Sequence, residues 1–262
     1  MATDCPAWAP PLLAIQFLTR VPVPAVSRLP EAAIKAGLGR AVGWYPLIGA
    51  LIGGITATTF VLAQHLWPTI VAVLLALIVE ARLTGAFHED AVADFCDGIG
   101  GGKDPAHARQ IMKDSRIGTF GAMGLVLGIA TRAALMFSLN PAIAPFAIIA
   151  AATFGRLLTV IVMVTTPPAP AVTSLAKDVA ANIRPRDTAL AAITSLPGLL
   201  PFALVEPTAF AATAVAAAIF INWFRALVIR KVGGATGDCV GAAAYAGQLL
   251  MLLAATAVTL PR

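Results

Sequence analysis

Apolar stretches of nearly the length that crosses a lipid bilayer recur seven times along the chain. They cover roughly residues 42–62, 68–87, 117–139, 141–166, 188–205, 207–229 and 239–260. A helix of about 20 apolar residues spans the hydrocarbon core, where only a helix or a closed barrel satisfies every backbone polar group. The pattern therefore predicts an all-α fold. We expect a polytopic membrane helix bundle of about seven transmembrane helices, forming one integral-membrane domain over residues 1–262.

The amino-acid composition excludes an ordinary water-soluble enzyme, because 59% of the residues are apolar and only 12% are charged. Soluble domains carry about 25% charged residues. The formal charge of +5 comes without any run of five basic residues. We therefore expect the lipid bilayer and small molecules as partners, and no nucleic acid. Three widely separated cysteines without a CxxC pair predict neither a disulfide framework nor a zinc site.

Lysine and arginine lie mostly on one side of the predicted spans. Thirteen of the eighteen precede the first span or lie between spans two and three, four and five, or six and seven. The connections 63–67, 138–140 and 206 contain none. By the positive-inside rule, the N-terminus and the long connections then face the cytoplasm. We expect a multi-pass membrane protein, with residues 1–41 as a cytoplasmic N-terminal arm and residues 88–116 as a cytoplasmic loop that carries any catalytic chemistry.

Three aspartates follow the second predicted span at i, i+4 and i+7, namely Asp90, Asp94 and Asp97. On a helix this spacing places the three carboxylates on one face. Like charges so close together at a membrane edge favour a bound cation, and hard oxygen ligands favour Mg²⁺, which also takes substrate phosphate oxygens. A solvated acidic loop is the alternative. His88 is either a ligand or base for the same site, or an interfacial histidine at a helix end.

Two further polar segments have the chemistry to hold phosphate. Lys113 and Arg116 are i, i+3 neighbours, suited to a diphosphate opposite the aspartates; the alternative is that they snorkel at the membrane edge. Near the last predicted span, glycines beside Gly234 and Thr236 let backbone amides approach an anion. Asp238 either adds a carboxylate to the metal site or caps the last helix.

Five charged residues lie within predicted spans, namely Glu80, Arg82, Arg132, Arg156 and Arg225, and three of them need a separate explanation. Glu80 and Arg82 are near one end of the second span, and Arg156 is in the middle of the fourth. Ionisable residues at such depth are functional candidates, because an unpaired charge in hydrocarbon is costly. A structural pairing of Glu80 with an arginine explains them equally well.

Four of these segments, in order, resemble the adenosylcobinamide-GDP ribazoletransferase family, the cobalamin synthases. They are residues 17–24 (FLTRVPVP), 84–98 (TGAFHEDAVADFCDG), 112–118 (MKDSRIG) and 233–238 (GGATGD). The resemblance implies a multi-pass, Mg²⁺-dependent enzyme of the inner membrane. Its expected reaction joins adenosylcobinamide-GDP to α-ribazole, or to α-ribazole 5′-phosphate, and releases GMP in the last steps of cobalamin nucleotide-loop assembly.

With that resemblance, each candidate residue receives an expected role. Metal binding is assigned to Asp90, Asp94, Asp97 and Asp238. Phosphate binding is assigned to Lys113, Arg116, Gly234 and Thr236. Catalytic roles are assigned to Asp94, Asp97 and His88, with Asp238 or His88 accepting the proton of the attacking ribose hydroxyl.

The chain departs from the family pattern at three positions. Many relatives have a glycine where this chain has Ala91, and two glutamates where it has Tyr245 and Gln248. Alanine is readily accommodated on a helix. The glutamates matter more, because if they bind metal or act as the base in relatives, that role has been reassigned or lost here.

Two other functions are less well supported by the sequence. A CDP-alcohol phosphotransferase also clusters aspartates at a membrane helix end, but Asp97-Gly98 is not followed by the Ala-Arg pair of that family. A transporter is not favoured, because the carboxylates cluster at one edge and do not line a path across the bilayer. An oligomer is compatible with the sequence.

Overall fold

A computed structural model describes residues 5–170, residue 179 and residues 182–259. Lys177 and Arg262, which bear on the predicted topology, lie outside the described residues. Within the described residues the fold is helical and contains no strand, only an isolated parallel bridge between Pro168 and Ala235. The first half of the chain forms α1 Ala9–Leu18, α2 Pro24–Ser27, α3 Glu31–Ala41, α4 Tyr45–Gln64, α5 Thr69–Thr84, α6 Phe87–Gly101 and α7 Pro105–Met112. The second half forms α8 Thr119–Ser138, α9 Ala144–Thr165, α10 Pro185–Val205, α11 Pro207–Val232 and α12 Gly237–Thr259.

Six helical segments of the described chain are long and apolar enough to cross a membrane, and a seventh arises if α5 and α6 form one broken span. One of the six is the continuous segment Glu31–Gln64, in which a 3₁₀ turn, Val42–Trp44, joins α3 to α4. The prediction of an all-α membrane bundle is confirmed. The predicted spans match α4, α5 and α8 to α12 to within three residues at either end. The side of the membrane that each end faces stays a prediction.

Helices α4, α9 and α12 pack closely through small residues, with α9 between the other two. A Cβ atom added at Gly49 of α4 would lie 2.6 Å from the Ala152 carbonyl oxygen of α9. A Cβ atom at Gly155 of α9 would lie 2.5 Å from the Ala244 carbonyl oxygen of α12. Lipid provides no hydrophobic driving force between helices. Close backbone approach through small residues instead favours helix association through van der Waals packing. Helix α12 of this group also packs against α6, which in turn packs against α7.

Helix α6 departs sharply from α5, at an angle of 87°. Two consecutive left-handed residues make the turn: Gly85 with φ 71° and Ala86 with φ 55°. Helix α6 then runs antiparallel to α8, because Asp97 meets Gly118 while the earlier Cys96 meets the later Gly124. Most of the predicted catalytic loop 88–116 is therefore helical, divided between α6 and α7.

Candidate functional site

The three aspartates that follow the bend all lie on α6, and the structure brings a fourth carboxylate to them. Asp90 is exposed, Asp94 is half-buried and Asp97 is 8% exposed. Asp238 lies in the first turn of α12, and the charges of Asp90, Asp238 and Asp97 all act on Asp94. We call these four residues the aspartate group. The positive charge of Lys113 acts on one member of this group, Asp238.

The aspartate group is not a preformed metal cage. Among the described residues, no three histidine, cysteine, aspartate or glutamate side chains converge as a group that could hold a metal ion. Mg²⁺ differs from zinc in this respect, because it commonly takes one or two carboxylates and completes its octahedron with water and substrate phosphates. The donor set therefore fits a Mg²⁺ ion that binds together with a phosphate ligand.

Asp97 has a structural role that the sequence did not predict. Its Oδ2 atom accepts a hydrogen bond from the Gly118 N–H at 2.7 Å, and its Oδ1 atom accepts one from the Gly121 N–H at 2.8 Å. Gly118 is the N-cap residue of α8 and has no side chain with which to satisfy the first turn. Helix α6 thus supplies the cap of α8. The assignment of Asp97 to the metal and to catalysis stays a prediction.

The two basic residues predicted to hold phosphate differ in their surroundings. Arg116 forms a bidentate pair with Asp114, with Nη2–Oδ2 at 2.7 Å and Nε–Oδ1 at 3.0 Å. The Arg116 side chain and backbone N–H hold the pKa of Asp114 at about 2. Lys113, at the C-terminal end of α7, is exposed and is the one whose charge reaches Asp238. Lys113 is therefore better placed for a ligand of the aspartate group.

The glycine-rich segment before α12 is tied to the rest of the protein by its backbone. Gly234 has φ 142°, and the next residue, Ala235, donates its N–H to the Pro167 oxygen at 2.8 Å and accepts from the Ala169 N–H at 3.0 Å. The Thr236 hydroxyl accepts the Cys239 N–H at 3.3 Å and so caps α12. Because Thr236 provides this cap, Asp238 is not needed for it. The phosphate contacts of Gly234 and Thr236 stay predictions.

His88 lies on a different face of α6 from Asp94. It is 4% exposed and packs edge-on against Phe87, with ring centroids 5.4 Å apart. With Tyr45 it lines a small cavity of about 30 Å³. Six residues along a helix correspond to about 240° of rotation, so His88 and Asp94 lie on different faces of α6. The proposed catalytic role of His88 is untested, and its position gives it no support.

The four segments that carry the family resemblance meet around α6. Arg20 donates its backbone N–H to the Leu83 oxygen at 2.7 Å, just before the bend. In the same segment, Phe17 packs edge-on against Phe87 at 5.4 Å. At the other end of α6, a Cβ atom at Gly98 would meet the Met112 side chain at 2.6 Å. Met112 in turn is 3.8 Å from the Thr236 hydroxyl. Segments that are far apart in sequence therefore surround one helix.

A model of the family described as cobalamin-5-phosphate synthase matches residues 10–256. The chain belongs to this family. Curated relatives named adenosylcobinamide-GDP ribazoletransferase include those of Vibrio cholerae (35% identity, covering 92% of this chain and 91% of the relative), Leptothrix cholodnii (36%, 92% and 92%) and Ralstonia nicotianae (37%, 92% and 92%). No solved structure matches the chain. The resemblance seen in the sequence is confirmed at the level of the family.

This synthase-family chain also contains a buried ion cluster, made of Glu80, Glu89, Arg132 and Arg156. Arg132 Nη2 is 2.7 Å from Glu80 Oε2, and Arg132 Nη1 is 3.8 Å from Glu89 Oε1. The Thr56 hydroxyl donates to Glu80 at 2.8 Å. Arg156 is fully buried and acts on both glutamates through its charge. The arginine that the sequence suggested as a partner for Glu80 is therefore Arg132, a residue that sequence reasoning left without a role.

Of the two departures Tyr245 and Gln248, the first lies beside Arg132 and the second packs against α9. The Tyr245 ring packs under the Arg132 guanidinium at 5.8 Å, within the range of a cation–π interaction. Gln248 is 1% exposed and packs against Gly155, the neighbour of Arg156 in α9. In this member of the family, both positions are therefore part of the buried helix packing.

Proposed function

We propose that this protein is the membrane transferase that joins adenosylcobinamide-GDP to α-ribazole, or to α-ribazole 5′-phosphate. The products are adenosylcobalamin, or its 5′-phosphate, and GMP. The observation that carries the proposal is the family match over residues 10–256, with curated relatives of this name at 35–37% identity over 92% of the chain. The grouping of carboxylates beside one lysine supplies the chemistry that such a phosphoryl transfer requires.

In the proposed reaction, the ribose hydroxyl of α-ribazole attacks the phosphorus on the cobinamide side of the diphosphate. The bond between that phosphorus and the bridging oxygen breaks, and GMP leaves with the electron pair. Asp238 accepts the hydroxyl proton in our assignment, in preference to His88, which is buried and lies on a different face of α6 from Asp94. Lys113 stabilises negative charge on the phosphate oxygens.

Mg²⁺ is the proposed cofactor, and two carboxylates, those of Asp90 and Asp94, are its proposed protein ligands, together with substrate phosphate oxygens. When bound, it would neutralise the diphosphate and polarise the reacting phosphorus. Asp97 is a further candidate ligand, because a carboxylate oxygen that accepts one backbone hydrogen bond retains a lone pair. The positive charge of the Lys113 side chain complements the same phosphates.

The distribution of Lys and Arg supports an orientation in which the aspartate group faces the cytoplasm. Lys113 and Arg116 are in one of the connections rich in basic residues, and the aspartate group adjoins it. We therefore propose a location in the cell inner membrane with the site open to cytoplasmic substrates. Both proposed substrates are water-soluble phosphorylated or ribosylated molecules, which suits a site at the membrane surface.

The test is release of GMP by the purified protein in detergent. Adenosylcobinamide-GDP and α-ribazole are supplied with Mg²⁺, and then with excess EDTA. We expect product only with Mg²⁺, and we expect Asp94→Asn to lower kcat by about 10²-fold or more, as loss of a charge-stabilising group does in other enzymes. Glu31→Gln removes an exposed carboxylate at the start of α3, outside the aspartate group, and is the matched control, for which we expect unchanged activity.

Two results would contradict the proposal. One is full activity in EDTA or in Asp94→Asn, which would remove the metal assignment. The other is no GMP release from wild-type protein whose folding is established by a cooperative thermal transition. In that case CDP-activated lipid alcohols are the next substrates to supply.

A further inference from the structure

The bend between α5 and α6 places a strained backbone next to the aspartate group. Ala86 adopts φ 55° and ψ 28°, a left-handed conformation that alanine disfavours because its Cβ crowds the following carbonyl. Four residues later, Asp90 is the first member of the aspartate group. The direction of α6 is therefore not set by local backbone preference alone and needs a tertiary contact to hold it.

Arg132 provides a contact on both sides of this bend. From α8, its guanidinium reaches Glu80 on α5, before the bend, at 2.7 Å, and Glu89 on α6, after the bend, at 3.8 Å. Arg132 is 3% exposed, so water screens these pairs little. The contact to Glu80 is a hydrogen bond, whereas the contact to Glu89 is an ion pair longer than a hydrogen bond, so Arg132 holds Glu80 by geometry and Glu89 by charge.

Glu89 and Asp90 are consecutive residues, so they point about 100° apart around the axis of α6. The structure is consistent with this, because Glu89 faces the buried Arg132 whereas Asp90 is exposed. Holding Glu89 therefore fixes the rotation of α6 about its own axis. The same rotation sets where the carboxylates of Asp90 and Asp94 point, relative to Asp238 on α12.

We propose that Arg132 is a positioning residue, which orients the aspartate group by holding α6 through Glu89 and anchoring it to α5 through Glu80. This inference rests on the proposed function for its effect on activity, but not for its effect on the orientation of α6. A displacement of about 1 Å at reacting groups can cost on the order of 10²-fold in rate. A small rotation of α6 is therefore enough to impair the site.

Cys96 offers a measure of the orientation of α6 that does not depend on activity. It lies on α6, is half-buried, and its side chain packs against Gly124 of α8. Its rate of alkylation by a maleimide in the folded protein, followed by mass spectrometry of its peptide, reports how closely α6 packs on α8. The other cysteines, Cys5 and Cys239, are buried and serve as internal references.

The main variant is Glu89→Gln, which weakens the contact to α6 while the Arg132–Glu80 pair remains. We expect the Mg²⁺ concentration for half-maximal activity to rise at least 5-fold, KM for α-ribazole to change less than 2-fold, and Cys96 alkylation to accelerate at least 3-fold. Arg132→Met should shift all three in the same sense and further, and Arg132→Lys should recover part of the loss. Because Arg132→Met strands the buried Glu80 carboxylate and the partly buried Glu89 carboxylate and can fail to fold, Glu89→Gln decides the question.

The matched control is Thr56→Val, which removes the hydrogen bond to Glu80 without touching α6. We expect no change in the Mg²⁺ response or in Cys96 alkylation. The proposal is overturned if Glu89→Gln leaves Cys96 alkylation unchanged, whether activity is kept or lost, since lost activity would then reflect a direct role of Glu89. If the wild type shows no GMP release, the proposed function fails while the alkylation comparison still tests the contact.

Discussion

Removal of the Asp97 side chain should destabilise the protein more than removal of any other member of the aspartate group. In Asp97→Ala, the N–H groups of Gly118 and Gly121 both lose the carboxylate that accepts them. Neither glycine has a side chain that can act as a substitute. The first turn of α8 then has fewer hydrogen-bond acceptors at its N-terminus, which is also the positive end of its dipole.

The size of the effect follows from these two hydrogen bonds. An unsatisfied buried donor costs about 1–3 kcal/mol, and loss of a helix cap costs about 1 kcal/mol in typical cases. The N–H of Gly121 is buried and that of Gly118 is partly buried, so one full penalty and one partial penalty apply. Relief of repulsion from Asp94 returns a fraction of this. We expect a net loss of about 2–4 kcal/mol, or roughly 5–10 °C in Tm for a chain of this size.

The assay is thermal unfolding in detergent of Asp97→Ala, Asp97→Asn and Asp90→Ala, combined with amide hydrogen exchange of residues 118–121. Asp97→Asn retains one acceptor oxygen and should lose about half as much stability. Asp90 is exposed, so Asp90→Ala should remain within about 0.5 kcal/mol of the wild type. Equal unfolding temperatures for Asp97→Ala and Asp90→Ala, with equal exchange at 118–121, would refute the assignment of Asp97 as the cap of α8.

Two further predictions concern helix ends near the site. Ala86→Gly should raise the free energy of unfolding by about 0.5–1 kcal/mol, because glycine tolerates φ 55° whereas alanine does not. This value already allows for the larger backbone entropy that glycine loses on folding. The change in unfolding temperature of the variant measures the effect. Asp104 caps α7, and the N–H groups of His107 and Ala106 that it accepts hold its pKa below the ordinary value. The cap should therefore be intact above about pH 4 and be lost as the pH falls through the lowered pKa, which amide hydrogen exchange across α7 measures. Asp104→Asn should keep the cap and abolish this pH dependence. A pH profile that is the same in Asp104→Asn as in the wild type would contradict the assignment.

The helices that cross the membrane could be predicted because apolar length is a property of consecutive residues. The same holds for the shared face of Asp90 and Asp94, which depends only on the helical period. The contacts of Asp97 could not be predicted in this way. Its partner Gly118 is 21 residues away, and a cap supplied by another helix leaves no local pattern in the sequence.

The bend between α5 and α6 and the buried ion cluster could not be predicted from the sequence for a similar reason. Gly85 allows a left-handed turn, but Ala86 gives no such signal, because alanine disfavours a positive φ. Glu80 was expected to pair with an arginine if its role is structural. The choice between Arg132 and Arg156 depends on how two different helices pack, which the pattern of either helix alone does not contain.

Charge balance distinguishes the two polar groups that flank α6. The buried ion cluster holds two glutamates and two arginines, so its formal charges cancel, although Arg132 Nε and two nitrogens of Arg156 are buried without a hydrogen-bond partner in the described part of the chain. The aspartate group holds four carboxylates, three of them acting on the fourth, with the charge of Lys113 opposite. Residual negative charge at the end of an apolar bundle is costly unless a cation shares the site. The balanced cluster therefore suits the proposed orientation of α6, and the unbalanced one suits the proposed divalent cation that arrives with a diphosphate.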